Sequence, residues 1–208
     1  MELWVKKKGD RTGLGRIIGF LVLWLFLGSS GHAQEKSSIV RVRIETELGS
    51  MVAEVYSNRA PITAANFLRY VDSSYYNGGS FYRTVRPDNQ PSSPVKIEVI
   101  QGDIHPWQSN FSFPPIALER TNLTGLKHRN GALSMARGSP DTATSSFFIC
   151  VGDQPELDFG GKRNPDGQGF AAFGQIVEGM ETVHRIHQSH SEGQALMLPV
   201  RILRIVRI

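Results

Sequence analysis

Cysteine is nearly absent from this 208-residue chain: Cys150 is the only one, so no disulfide can form within it. That residue lies in the apolar run Phe147 to Val151 with no base close by in sequence, the setting of a small buried hydrophobe and not of a reactive thiol. Long apolar runs are missing as well. Ile17 to Leu27 is too short to cross a bilayer unaided. Charge of one sign is scarce once the first 33 residues are set aside, because they hold five of the 23 basic side chains (Lys6, Lys7, Lys8, Arg11, Arg16) against Glu2 and Asp10. The remainder carries 18 basic and 17 acidic residues, so a pI near 9.4 is no footprint for nucleic acid.

The usual signatures of bond-making chemistry are lacking too. His184, His187 and His190 recur at every third position, yet no carboxylate or thiol completes a metal-ligand set at defined spacing. Ser134 has none of the flanking glycines of a nucleophile elbow. Gly13-Leu14-Gly15 with Gly19 follows no strand, so it is no dinucleotide loop. No internal repeat is present, and no metal or cofactor is expected.

What is there begins with a leader. A basic start, the apolar run 17–27 and the small residues Gly28 to Ala33 read as a cleavable secretory signal over 1–33, with an uncleaved anchor as the alternative. Residues 34–38 read as a short linker and 39–208 as one domain, long enough to bury its own core. The domain is therefore expected in an exported compartment, periplasmic or secreted, touching a membrane only through an uncleaved leader.

Val40, Val42 and Ile44 alternate with Arg41, Arg43 and Glu45, the period of a half-buried strand, and Met51 to Tyr56 returns after a turn at Leu48-Gly49-Ser50. Pro61-Ile62-Thr63 opens a helix with Thr63 as its cap and Ala65, Phe67, Leu68 and Val71 as its apolar stripe. Strands are predicted at Ser80 to Val85, Val95 to Gln101, around Leu133, around Phe148, at Ala171 to Val177 and at Val200 to Ile208. A second helix is predicted at Gly179 to His187, and 103–130 reads as irregular. Short strands joined by hairpin-length connections predict a mainly β fold, a closed eight-stranded antiparallel barrel capped by two α-helices.

Three stretches narrow the chemistry. Phe81-Tyr82-Arg83 supplies a cation, Ile100 to Asp103 an amide at Gln101, and Leu133 to Arg137 with Phe147-Phe148-Ile149 an apolar wall. Together with Pro140-Asp141-Thr142, Phe173 to Val183 and Pro61 to Phe67, these motifs resemble, in order and over nearly all of 39–208, those of the cyclophilins, which are peptidyl-prolyl cis/trans isomerases. The resemblance implies the eight-stranded barrel, catalysis of rotation about X-Pro bonds, and proline-containing polypeptides as partners of a monomer that assists the folding of exported proteins. It implies Arg83 as the catalytic arginine, Gln101 as the residue that orients substrate and Phe148 as the floor of a proline pocket. Val99, Met135, Ala136, Ser146, Leu157 and Phe170 correspond to the neighbouring groove positions. A proline-peptide binding module or holdase chaperone with little turnover is the alternative reading.

These residue types suit a rotation. Resonance sets a barrier of roughly 18–20 kcal/mol about the amide bond, and no bond is broken in crossing it. In the twisted state the proline nitrogen becomes pyramidal and gains a lone pair that a guanidinium can meet, a contact much weaker with the planar ground state. Arginine stays charged and holds its donors in a plane. An apolar pocket excludes water and strengthens the contact.

Four positions depart from the family. An aromatic is usual at Glu98, a glutamine at Ser146, a tryptophan at Glu156 and a histidine at Phe170. The departures predict carboxylates at the groove rim paired with Arg83 or Arg137, and weak binding of cyclosporin. An insertion, Pro87 to Lys96, is expected to project beside the site.

Overall fold

The computed structural model describes residues 39–208; the leader 1–33 and the linker lie outside them. Strands β1 (Ile39–Thr46) and β2 (Gly49–Tyr56) form a hairpin, followed by helix α1 (Pro61–Asp72), β3 (Ser80–Val85) and β4 (Val99–Asp103). Helix α2 (Thr121–Thr124) precedes β5 (Ala132–Met135), β6 (Phe147–Cys150), β7 (Ala171–Glu178), helix α3 (Met180–His187), β8 (Ser191–Glu192) and β9 (Ala195–Arg207). Eight strands pair in the order β1-β2-β7-β5-β6-β4-β3-β9, and β9 pairs back to β1, which closes the barrel. Every pairing between strands is antiparallel. The two residues of β8 pair only with β9 and stand outside the closed ring.

Helix α1 buries Ala64, Phe67, Leu68 and Val71, the spacing of one face at 3.6 residues per turn. Ala65, expected on that face, is exposed. Thr63 is no cap either: the cap lies three residues earlier, at Ala60, with Pro61 at N1. Its open N–H groups are taken from a distance by Glu119, whose carboxylate accepts from the Ile62 and Thr63 amides at 3.1 and 2.7 Å and from Thr63 Oγ1 at 2.6 Å. Phe67 reaches into the barrel and meets Tyr76, Phe147 and Phe173 at ring separations of 5.0–5.5 Å. Val183 and Ile186 of α3 join the same core.

Three elements differ from the sequence reading. Strand β4 begins at Val99, not Val95, because the Gln90 side chain takes the backbone of Ile97, donating to its carbonyl at 2.7 Å. Strand β9 begins at Ala195, not Val200, and passes Pro199 in a bulge where no ladder donor is needed. The third helix, α2, is a single turn closed by Gly125 at φ 69°, too short to leave a periodicity.

The core has two parts. Phe81, Ile100, Leu133, Met135, Phe147 and Ile149 point into the barrel. Val85, Val99, Ala132, Phe148 and Cys150 form a second cluster with Ile97 and Leu157. In β6 successive residues alternate strictly between the two clusters, as pleating demands, and Val99 and Ile100 of β4 divide between them in the same way. The outer cluster is the base of the site.

Candidate active site

In β3 the alternation breaks at one point. Phe81 faces Gly102 across the ladder and Arg83 faces Gln101, so Tyr82 is an extra residue without a partner of its own. Against β9 the register also shifts there, but the extra residues lie in β9: Phe81 faces Val200 and Arg83 faces Ala195. This bulge reverses the parity of the strand: Phe81 belongs to the inner core and Val85, four residues on, to the outer cluster. Arg83 is thereby carried to the outer face beside Gln101.

Arg83 is held at both ends of its guanidinium. Nη1 donates to Gln101 Oε1 at 2.7 Å, while Nε and Nη2 donate to Gln194 Oε1 at 3.0 and 2.5 Å. Of its five N–H groups, one on each Nη is left over. Burial pulls its proton affinity below the ordinary guanidinium value. An arginine nevertheless stays charged in a protein. Both acceptors are neutral, so the charge is oriented without being cancelled.

Gln101, expected to offer both ends of its amide to substrate, is engaged within the protein. Nε2 donates to Tyr82 Oη at 2.6 Å and to Ser146 Oγ at 3.0 Å. Ser146 therefore sits behind Gln101 and is not among the residues that line the groove. Met135 is also absent from the groove wall. It lies in the inner core, 1% exposed, since it falls on the opposite parity of β5 from Ser134. Val99, Ala136, Phe148, Leu157 and Phe170 line a groove of about 240 Å³ together with Arg83 and Gln101.

Phe148 is backed on one side and flanked on another. Phe170 meets it edge-on at 5.4 Å, and His128 stacks on it at 5.9 Å with 14° between the planes. His128 Nδ1 bonds Asp158 Oδ1 at 2.8 Å and its Nε2 bonds Ser134 Oγ at 2.9 Å. The serine, histidine and carboxylate stand in nucleophile-triad order, but Ser134 has no exposed surface and His128 has 1%, so no acyl group can reach the hydroxyl. Burial, opposed by Asp158, lowers the His128 proton affinity. The ring is a neutral prop for the floor.

The rim carboxylates are turned away from the arginines expected to pair with them. Glu98 lies 3.8 Å from His187 Nε2, and Glu156 accepts the Lys162 amide at 2.8 Å. Arg137 instead gives its Nη1 and Nη2 to the two oxygens of Asp166 at 2.8 and 3.0 Å and sits 5.1 Å over the Phe170 ring. The insertion does project beside the groove, where Arg163 ties it down through Gln90, Ser93 and Val95. Tyr82, Gln194, His128 and Arg163 were not singled out from the sequence. Tyr82 adjoins Arg83 within a motif already quoted; the other three carry no local signal.

A larger groove of about 540 Å³ runs along α1 past Val40, Leu68 and Arg69. No aromatic residue lines it; of its two cations, Arg207 is bound to Asp72 at 2.7 Å and Arg69 lies 3.8 Å over the Phe113 ring. The smaller groove is the one that brings Arg83, Gln101 and Phe148 together.

A family model described as cyclophilin type peptidyl-prolyl cis-trans isomerase/CLD matches residues 41–207. The peptidyl-prolyl cis-trans isomerase A of Dickeya dadantii (strain 3937) is 34% identical over 178 residues, which is 85% of this chain and 86% of the relative. A peptidyl-prolyl cis-trans isomerase of Acinetobacter baylyi is 36% identical over 146 residues, 70% of each chain. Among solved structures, a cyclophilin type peptidyl-prolyl cis-trans isomerase of Cryptosporidium parvum has the same fold, with TM-score 0.66 at 24% identity over 82% of this chain and 98% of its own. A structure of it determined in the presence of the dipeptide Ala-Pro gives TM-score 0.64 at 25% identity over 81% of this chain and 98% of its own.

Proposed function

This chain belongs to the cyclophilin-type peptidyl-prolyl cis-trans isomerases and is an enzyme of that activity, and we propose that Arg83 drives the rotation from the rim of the 240 Å³ groove. The proline ring of a peptide rests on Phe148, between Leu157 and Phe170, which strips water from the imide. As the bond twists, the nitrogen becomes pyramidal and accepts a hydrogen bond from a spare Nη–H of Arg83. That contact strengthens only in the twisted state and so lowers the barrier. Gln101 fixes where the guanidinium sits, and Val99 and Ala136 shape the walls. Each ~1.4 kcal/mol of such preference is worth a factor of ten in rate.

The observation that carries this reading is the bulge at Tyr82, which sets the cation of β3 on the same outer face as Gln101 and Phe148. Titrating the 15N-labelled domain with a proline tetrapeptide tests it. Shifts are expected to centre on Val99, Gln101, Phe148 and Leu157. Shifts centred on the groove along α1 would rule the assignment out.

The same reading makes proline-containing polypeptides the partners and the folding of exported proteins the task. Its support is the basic, apolar and small-residue order of 1–33. A mature mass beginning after Ala33, in an extracytoplasmic fraction, is the outcome expected. Among the described residues the closed ring leaves the two-residue β8 as a short sheet edge, which supports a monomer, and light scattering at micromolar concentration checks it.

A further inference from the structure

Three guanidinium groups line one groove. Arg137 is paired with Asp166, while Arg83 and Arg163 have no carboxylate partner among the described residues. Arg83 gives its bonded N–H groups to the amide oxygens of Gln101 and Gln194. Arg163 reaches the same groove from the loop between β6 and β7, and its Nη1 donates to Gln90 Oε1 (2.8 Å), Ser93 Oγ (2.6 Å) and Val95 O (2.7 Å). All three acceptors are neutral and lie in the insertion. Among the described residues, Nε and Nη2 of Arg163 have no acceptor, which leaves three N–H groups on the edge that a carboxylate would bridge.

The neighbouring carboxylates are committed elsewhere, Asp158 to His128 among them. Asp166 is bound to Arg137, Glu156 to the Lys162 amide, and Glu98 faces His187. Burial first, and then the charge of Arg83, lower the proton affinity of Arg163, so the Arg83 charge is felt at Arg163. Two like charges in one sheltered groove make a positive potential that an anionic ligand relieves. The insertion, on this view, fixes Arg163 in place with neutral acceptors and leaves its charge intact.

Building on the isomerase mechanism above, we propose that Arg163 and Arg83 form a carboxylate-selective subsite, so that the enzyme favours prolines with an Asp or Glu as an adjoining residue. Two tetrapeptide series test this, one with Glu, Gln or Lys directly before proline and one with the same residues directly after. In at least one series kcat/KM is expected to follow Glu > Gln > Lys, with the extremes apart by roughly three- to tenfold at low salt, the range of a partly exposed charge contact. The ratio should shrink as salt rises from about 0.01 M to about 1 M and the screening length falls from ~30 to ~3 Å.

Arg163→Met should bring the Glu-to-Lys ratio close to one, and Arg163→Lys should keep most of it. The ratio is taken within each variant, so a uniform loss of activity cancels. Equal rates for Glu and Lys peptides in both series, or a preference that survives Arg163→Met, overturn the proposal. If that variant fails to fold, the wild-type salt series and Arg163→Lys decide, and a salt-independent ratio overturns it. Arg83→Ala separates this from the mechanism itself: turnover of every peptide that survives the loss of Arg83 refutes the mechanism, whatever the ratio.

Discussion

Arg83 and Gln194 are 111 residues apart in sequence, yet a single side-chain oxygen of Gln194 accepts from both Nε and Nη2 of Arg83, at 3.0 and 2.5 Å. Gln194 lies in the turn between β8 and β9, so the two-residue strand outside the barrel has a use: it brings an anchor to the arginine. Gln101 holds the opposite corner at 2.7 Å. A guanidinium fixed at two corners keeps its spare donors aimed at one spot, which is what orientation contributes to a rate.

Gln194→Ala should therefore lower kcat by about tenfold, the equivalent of ~1.4 kcal/mol, and change KM little. The Arg83 Nε–H resonance should exchange faster with water in that variant. Gln194→Glu restores the anchor but pairs the charge, so its Nε–H should be protected while kcat stays low. A protected resonance together with normal kcat in Gln194→Ala would contradict the anchoring role.

Phe148→Ala should remove the floor and cost about 3–5 kcal/mol of stability, as expected for truncating a buried phenylalanine. For a domain of this size each kcal/mol corresponds to roughly 2–4 °C, so thermal melts give a clear reading. KM for proline peptides should rise as well, because the ring that supports pyrrolidine is gone.

Stability should fall on mild acidification. Burial lowers the proton affinity of His128 and of His187 below the ordinary value of 6.5. Unfolding restores that affinity, so below pH 6.5 the unfolded chain binds more protons and stability rises with pH. Their contribution is complete above 6.5 and is lost progressively as pH drops toward the folded values, at up to about 1.4 kcal/mol per pH unit for each group. Asp103, raised by burial, acts in the opposite sense nearer its own 3.8, so the effect is read close to neutrality. Melts of wild type and His128→Gln between about pH 5 and 7 check it, with a flatter profile expected for the variant.

Much of this was legible in the sequence. Period-two alternation located the strands, and the ordered motifs from Arg83 to Phe148 located the groove. Alternation could not reveal the bulge at Tyr82, because Phe-Tyr-Arg reads as a regular strand until its neighbours on both sides are known. The resemblance puts Met135 beside Ala136 in the groove, yet its place on β5 turns its side chain into the inner core. Gln194 and Arg163 act through loops that meet β3 and the insertion only after folding. The same holds for Glu119, which caps α1 from 56 residues away.

Glu119→Gln should destabilise the domain by about 1–2 kcal/mol, since a charged acceptor for three donors at the α1 start is replaced by a neutral one. Denaturant titration measures it. An unchanged midpoint would mean that the α1 amides find other acceptors.

The most direct measurement is catalysed exchange of a proline tetrapeptide followed by NMR, which reports binding and turnover in one experiment. Wild type should merge the cis and trans signals, while Arg83→Ala should still bind the peptide but lose at least about tenfold of the exchange rate, the worth of one transition-state contact. Exchange by Arg83→Ala at the wild-type rate would contradict the account.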